Sequence, residues 1–207
     1  MDNLEIQEYG IVLIPETNCI NIAQTLNQKI AGHLPHFANI INKWHITLYH
    51  GAYNKKDIPR IKAAISAFKP CSFLLQMTDF YSTNNQWVSW GVNKTDTIQK
   101  LHEYIVYAIS SYRQRPINRE LNEYNTLSAH DKKQIDQYGI SKVLEHYNPH
   151  LTLFYAPYAD LTVPSVLPLI KNERYQNITC KVAKIIIGVL GYNGNITKIV
   201  ASIPLVK

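Results

Sequence analysis

Apolar positions along the chain alternate between a strand period and a helix period. Gly10 to Pro15 (Gly-Ile-Val-Leu-Ile-Pro) is a β-branched run closed by proline, which predicts a buried strand. Ile22, Ala23, Leu26, Ile30 and Leu34 then fall at helical spacing, and Pro35 ends that helix. Trp44 to Tyr49 reads as a strand running into Gly51. Asp57 is placed to cap a helix with Pro59 in its first turn and Ile61, Ala64, Ile65 and Phe68 on its apolar face. Ser72 to Phe80 is the next strand, and the polar cluster Ser82 to Gln86 is a hairpin connection.

There the order begins again. Trp87 to Val92 is a strand, and Asp96 with Gln99 makes a capping box for a helix along Ile98, Leu101, Ile105, Ala108, Ile109 and Tyr112. A polar stretch from Arg113 to Asn125 interrupts the repeat, and Ser128 with Asp131 caps a further helix toward Tyr138. Asn148 to Tyr155 is a strand, Pro164 to Arg174 a proline-punctuated helix, and Thr179 to Leu190 a β-branched strand. Asn193-Gly194 is a hairpin turn leading into a closing strand, Ile196 to Leu205. The chain therefore reads over 1–207 as a duplication of a β-α-β-α-β unit whose two related halves can face each other across one cleft. The halves are about 1–84 and 85–207, with an extended polar connector at 113–147 in the second.

Each half carries one His-apolar-Thr-Leu tetrapeptide on its second strand: His45-Ile46-Thr47-Leu48 and His150-Leu151-Thr152-Leu153. Of the eight histidines, only these two have Ser or Thr two residues on, so the matched placement is not explained by composition. Residues i and i+2 of a strand share a face, so each strand offers an imidazole beside a hydroxyl while Ile46, Leu48, Leu151 and Leu153 face the core. Two such strands across a pseudo-twofold suit in-line displacement at phosphorus. That reaction needs a base on the entering side, an acid on the leaving side, and hydrogen-bond donors for the charge that builds between them. Two histidines and two threonines supply these without a metal.

At these residues the chain resembles the two-histidine (2H) phosphoesterase superfamily, whose members include RNA 2',5'-ligase-like proteins and 2',3'-cyclic nucleotide phosphodiesterases. Asn148-Pro149-His150 and the Tyr138-Gly139 approach to it add to the resemblance. It implies an α+β fold in a single domain over 1–207, a bilobal duplication of the β-α-β-α-β unit with an antiparallel sheet core around a central, water-filled cleft. It also implies metal-independent cleavage, or formation, of a phosphodiester at a ribose 2' position. The catalytic residues are then His45, Thr47, His150 and Thr152, with no cofactor and no metal. The partner is a nucleotide or RNA bearing a 2',3'-cyclic phosphate or a 2',5' linkage. The alternatives are a non-catalytic binder of RNA or cyclic nucleotide using the same cleft, and a 2',5'-ligase running the same chemistry backwards.

Charge and the remaining side chains refine this picture. The formal net charge of +6 on 207 residues favours an anionic partner, and with no basic run longer than a Lys pair the charge belongs to a folded surface. Tyr49 and Phe154 are expected to share the catalytic faces and stack on a base or ribose. Arg113 and Arg115, with Arg119 nearby, are placed to form an anion-recruiting edge. Trp87 and Trp90 straddle a strand, with core packing the better reading. His33, His36 and His50 lack ligand spacing, and His50 alternates away from His45, so no metal site is expected. Without a Gly-rich phosphate loop, ATP-dependent chemistry is not expected. Cys19, Cys71 and Cys180 are isolated and odd in number, which predicts free thiols in a reducing interior. The acidic start of the chain and the lack of any ~20-residue apolar run add to the expectation of a cytoplasmic monomer without a membrane span.

Overall fold

The computed structural model describes residues 5–37, 43–171, 175 and 178–206. Its strands and helices are β1 (Ile6–Pro15), α1 (Thr17–His33), β2 (Ile46–Asn54), α2 (Ile58–Ala67), β3 (Leu74–Thr83), β4 (Trp87–Val92), α3 (Asp96–Ile109), β5 (Arg113–Arg115), α4 (Asn118–Glu123), α5 (Ala129–Tyr138), β6 (His150–Tyr155), α6 (Leu167–Lys171), β7 (Thr179–Leu190) and β8 (Ile196–Pro204). Every strand expected from the period-two runs is present. The helix expected over Pro164–Arg174 is a 3₁₀ turn at Val163–Val166 followed by α6, and Arg174 lies outside the described residues.

Local chemistry accounts for most of the boundaries. Ser128 Oγ accepts from the Asp131 backbone N–H at 3.1 Å and starts α5. The same helix ends on Gly139 at φ +84°, where an added Cβ would lie 2.3 Å from Arg113 Cδ, so both backbone and packing demand glycine. Asn193 and Gly194 both take positive φ and turn β7 into β8, as an Asn-Gly pair does best. The capping box expected at Asp96 and Gln99 does not form: Thr95 is the N-cap without a side-chain bond, and Gln99 instead donates to Glu103 and to the Leu144 carbonyl.

The antiparallel sheet runs β1-β2-β6-β4-β3-β7-β8, with β5 added to β2, and β7 also pairs with β1, which joins the path into a ring. The first half's third strand, β3, pairs with β4, while the second half's third strand, β7, pairs with β1. Helices cross over in the same way: α1 packs on β6 and α3 on β2. Ile11, Leu13, Ile46, Trp90, Ile105, Leu151, Ile185 and Ile187 are fully buried between these layers.

The cysteines depart from expectation. Cys19 on α1 and Cys180 on β7 form a disulfide, with Cα atoms 5.7 Å apart and a separation of 161 positions in sequence; Cys71 is an exposed free thiol. Spacing along the chain carries no sign of a pair that only packing brings together, and the cysteines give no argument for a reducing compartment. Among the described residues, no helix is long and apolar enough to cross a membrane.

Candidate active site

The two motif strands are neighbours. β2 and β6 run antiparallel with Ile46 opposite Leu151, both fully buried. Antiparallel register then sets His45 across from Thr152 and Thr47 across from His150, all on the face away from Ile46 and Leu151. These four side chains are partly exposed, while Leu48 and Leu153 join the core. The result is a patch of two imidazoles on one diagonal and two hydroxyls on the other, with a local twofold axis between Ile46 and Leu151.

The two imidazoles are held alike. His45 Nδ1 lies 2.7 Å from the Lys43 carbonyl, and His150 Nδ1 lies 2.8 Å from the Asn148 carbonyl, each two residues upstream. A carbonyl can only accept, so Nδ1 carries the hydrogen and Nε2 keeps its lone pair. Burial lowers the pKa of His45 below 6.5, opposed by its bond to Lys43 and reinforced by the nearby His150. Burial likewise lowers His150, opposed by the Asn148 bond and reinforced by the Arg119 guanidinium. Each imidazole is thus neutral and basic near pH 7, and an incoming phosphate anion would favour protonating one of them.

Among solved structures, the chain resembles LigT of E. coli crystallised with 3'-AMP (11% identity, 98% of this chain and 100% of that one, TM-score 0.57). It also resembles TT0787 of Thermus thermophilus (11% identity, 96% and 97%, TM-score 0.60) and Usb1 of Kluyveromyces marxianus (11% identity, 98% and 99%, TM-score 0.52). The fold is that of these LigT-like structures. No protein-family model matches the sequence, and no curated protein matches it by sequence search.

Within this LigT-like fold, both motif strands carry a β-bulge directly after the motif threonine. Val12 pairs with Thr47 and Ile11 with Tyr49, leaving Leu48 as the extra residue; Ser89 pairs with Thr152 and Val88 with Phe154, leaving Leu153 as the extra residue. A bulge reverses the alternation beyond it. Tyr49 and Phe154 therefore do not flank the cleft as strict alternation predicted. Tyr49 is fully buried with its hydroxyl donating to the Tyr138 carbonyl, and Phe154 is 1% exposed against the Phe37 ring. His50 turns back instead, its Nε2 3.4 Å from Thr47 Oγ1. Burial pushes its pKa well below 6.5, and Arg119, His45 and His150 add to the depression. The expectation that His50 points away from His45 is thereby corrected: three imidazoles share one site.

The arginines also sort differently. Arg113 donates to the Asp136 and Gln137 carbonyls at the end of α5, and Arg115 pairs with Glu8 at 3.0 Å and donates to the Pro116 carbonyl. Both tie the connector to the rest of the protein, so neither is the free anion-recruiting group expected. Arg119, paired with Glu120 at 3.2 Å and half exposed, is the one whose charge reaches His50 and His150. Tyr81 on β3 is a neighbour the motif did not announce, its ring edge-on to His150 at 6.3 Å and its hydroxyl accepting from Asn148 Nδ2. Trp90 is fully buried against Phe80, as the core-packing reading expected. Among the described residues, His130, Glu145 and His146 bring their ligand atoms within 4.8 Å of one another on the exposed connector. His36 faces Asp160 at 3.8 Å.

Proposed function

We propose that this protein is a phosphodiesterase acting on nucleotides or RNA ends that carry a 2',3'-cyclic phosphate or a 2',5' linkage, with His45 and His150 as acid and base. Substrate phosphorus sits over the centre of the four-residue patch. One histidine takes the proton of the entering water through Nε2. The other, protonated, gives its proton to the leaving ribose oxygen as the P–O bond breaks. Thr47 and Thr152 donate to the non-bridging oxygens, where negative charge builds. Neither step calls for a metal ion.

The observation that carries this reading is the Ile46–Leu151 pairing, which sets both motifs about one axis. The LigT-like fold supports it, as does the +6 charge for an anionic substrate. One similar structure bears the name phosphoesterase, and the E. coli LigT structures include complexes with 3'-AMP and NADP+. The test is product analysis after incubation with 2',3'-cyclic nucleotides and 2',5'-linked dinucleotides. Turnover is expected, and His45→Ala or His150→Ala should each lower it by roughly 10²–10⁴-fold. Binding without turnover across that panel, or activity surviving loss of both histidines, would overturn it.

A further inference from the structure

Each bulge carbonyl is taken by a polar side chain reaching in from a helix of the other half. The Leu48 carbonyl accepts from His102 Nδ1 at 2.6 Å, and the Leu153 carbonyl accepts from Asn27 Nδ2 at 2.7 Å. His102 lies on α3, which packs on β2, and Asn27 lies on α1, which packs on β6. Both are essentially inaccessible to solvent, at 0% and 2% exposure. Two unlike residue types thus do one job at two related places.

The physical need is plain. The extra residue of a bulge has no opposite number to take its carbonyl, and a buried carbonyl without a donor bears the full loss of its hydration. A side chain that satisfies that oxygen also decides which residue is the extra one. Moving the bulge by one position would exchange faces, carrying a motif threonine toward the core and a leucine into the cleft.

On the first strand the grip is wider. His102 Nε2 accepts from the Leu144 N–H at 2.8 Å, so both ring nitrogens are used and the ring is neutral. Its face stacks on Tyr147 at 3.9 Å, and the Tyr147 hydroxyl donates to the Thr47 carbonyl at 2.9 Å. Two successive carbonyls, of Thr47 and Leu48, are therefore fastened to the segment that leads into His150.

We propose that His102 and Asn27 are positioning residues of the two-histidine site, each holding one motif in place through the carbonyl of the bulge residue behind it. This rests on the phosphodiesterase reading for its kinetic consequence, but not for its structural one. The variants are chosen by atom position. H102N keeps a donor near Nδ1 and loses the acceptor for Leu144; H102Q keeps an acceptor near Nε2 and loses the donor to Leu48; N27L keeps the volume and loses the donor to Leu153.

In H102Q and N27L, kcat should fall roughly 10–100-fold with KM within about threefold, and H102N should stay within about fivefold of the unaltered protein, because sub-ångström misplacement acts on the reacting geometry. NMR titration gives a readout independent of turnover. H102Q should move the His45 titration and the Thr47 methyl signal more than those of His150 and Thr152, and N27L should do the reverse. If both variants lose stability while kcat and both histidine titrations stay put, the proposal is overturned. Loss of the folded spectrum in both would overturn it too, by making the two residues framework alone. If the unaltered protein turns over none of the substrates, the phosphodiesterase reading fails and the NMR comparison still decides this one.

Discussion

Ile46 and Leu151 face each other across the β2–β6 pair, one residue from each motif, both without solvent contact. They meet at one point of the sheet and carry no chemistry, yet their register sets every distance in the patch above them. Truncating either to Ala should destabilise the protein by about 2–5 kcal/mol, as deletion of buried aliphatic groups does. Ile46→Val should cost only about 0.5–1.5 kcal/mol and keep the register. Urea unfolding measures both; equal costs for the two Ile46 variants would show that the contact is loosely packed.

Acid should weaken the fold through its buried histidines. Burial holds His102 down to about 4, against an ordinary value of 6.5, and depresses His45, His50 and His150 as well. A neutral native imidazole and a proton-binding unfolded one mean that stability is complete above about pH 6.5 and declines as pH falls, for His102 between 6.5 and about 4. Each such histidine contributes a slope of up to about 1.4 kcal/mol per pH unit in that window. Unfolding free energies measured from pH 7.5 to 4 should show the decline, and H102Q should reduce its slope by up to one histidine's share. An unchanged slope in H102Q would show that His102 binds its proton equally in both states.

Arg119 should act on the histidines and on the substrate. Replacing it with Gln removes a positive charge that disfavours protonation of His50 and His150, so both should titrate at higher pH than in the unaltered protein. We expect the lost positive charge near the histidines also to weaken binding of an anionic substrate, so that KM for a cyclic nucleotide rises about 5–20-fold, the effect of losing an interaction of about 1–2 kcal/mol. Arg115→Ala, which breaks the pair with Glu8, should instead appear mainly as lost stability. A KM effect from Arg115 and none from Arg119 would reverse this assignment.

The Cys19–Cys180 bond closes a loop of 161 residues, long enough for loop-closure entropy to contribute about 3–5 kcal/mol. Non-reducing peptide mapping should recover the linked pair. Reduction, or Cys180→Ser, should lower Tm by roughly 6–20 °C, since about 1 kcal/mol corresponds to about 2–4 °C in a chain of this size. Identical melting curves with and without reductant would show that the bond does not form in solution.

Local patterning was enough for the order of the longer strands and helices, the Ser128 cap and the Asn193-Gly194 turn, because each depends on residues within a few positions of one another, but it placed no element in the polar stretch that holds β5 and α4. The same patterning misplaced Tyr49, Phe154 and His50. Period-two alternation assumes an unbroken ladder, and a bulge exists only relative to the neighbouring strand that skips a residue. Long-range contact also decided which arginine faces the histidines, since Arg113 and Arg115 found acceptors on α5, β1 and the chain just after β5. Packing of α1 against β7 joined Cys19 to Cys180, and the exchange of α1 and α3 between halves brought Asn27 and His102 to the bulge carbonyls. A histidine and an asparagine on separate helices share no visible pattern along the chain. They became equivalent only once each met the carbonyl of a bulge residue behind a motif strand.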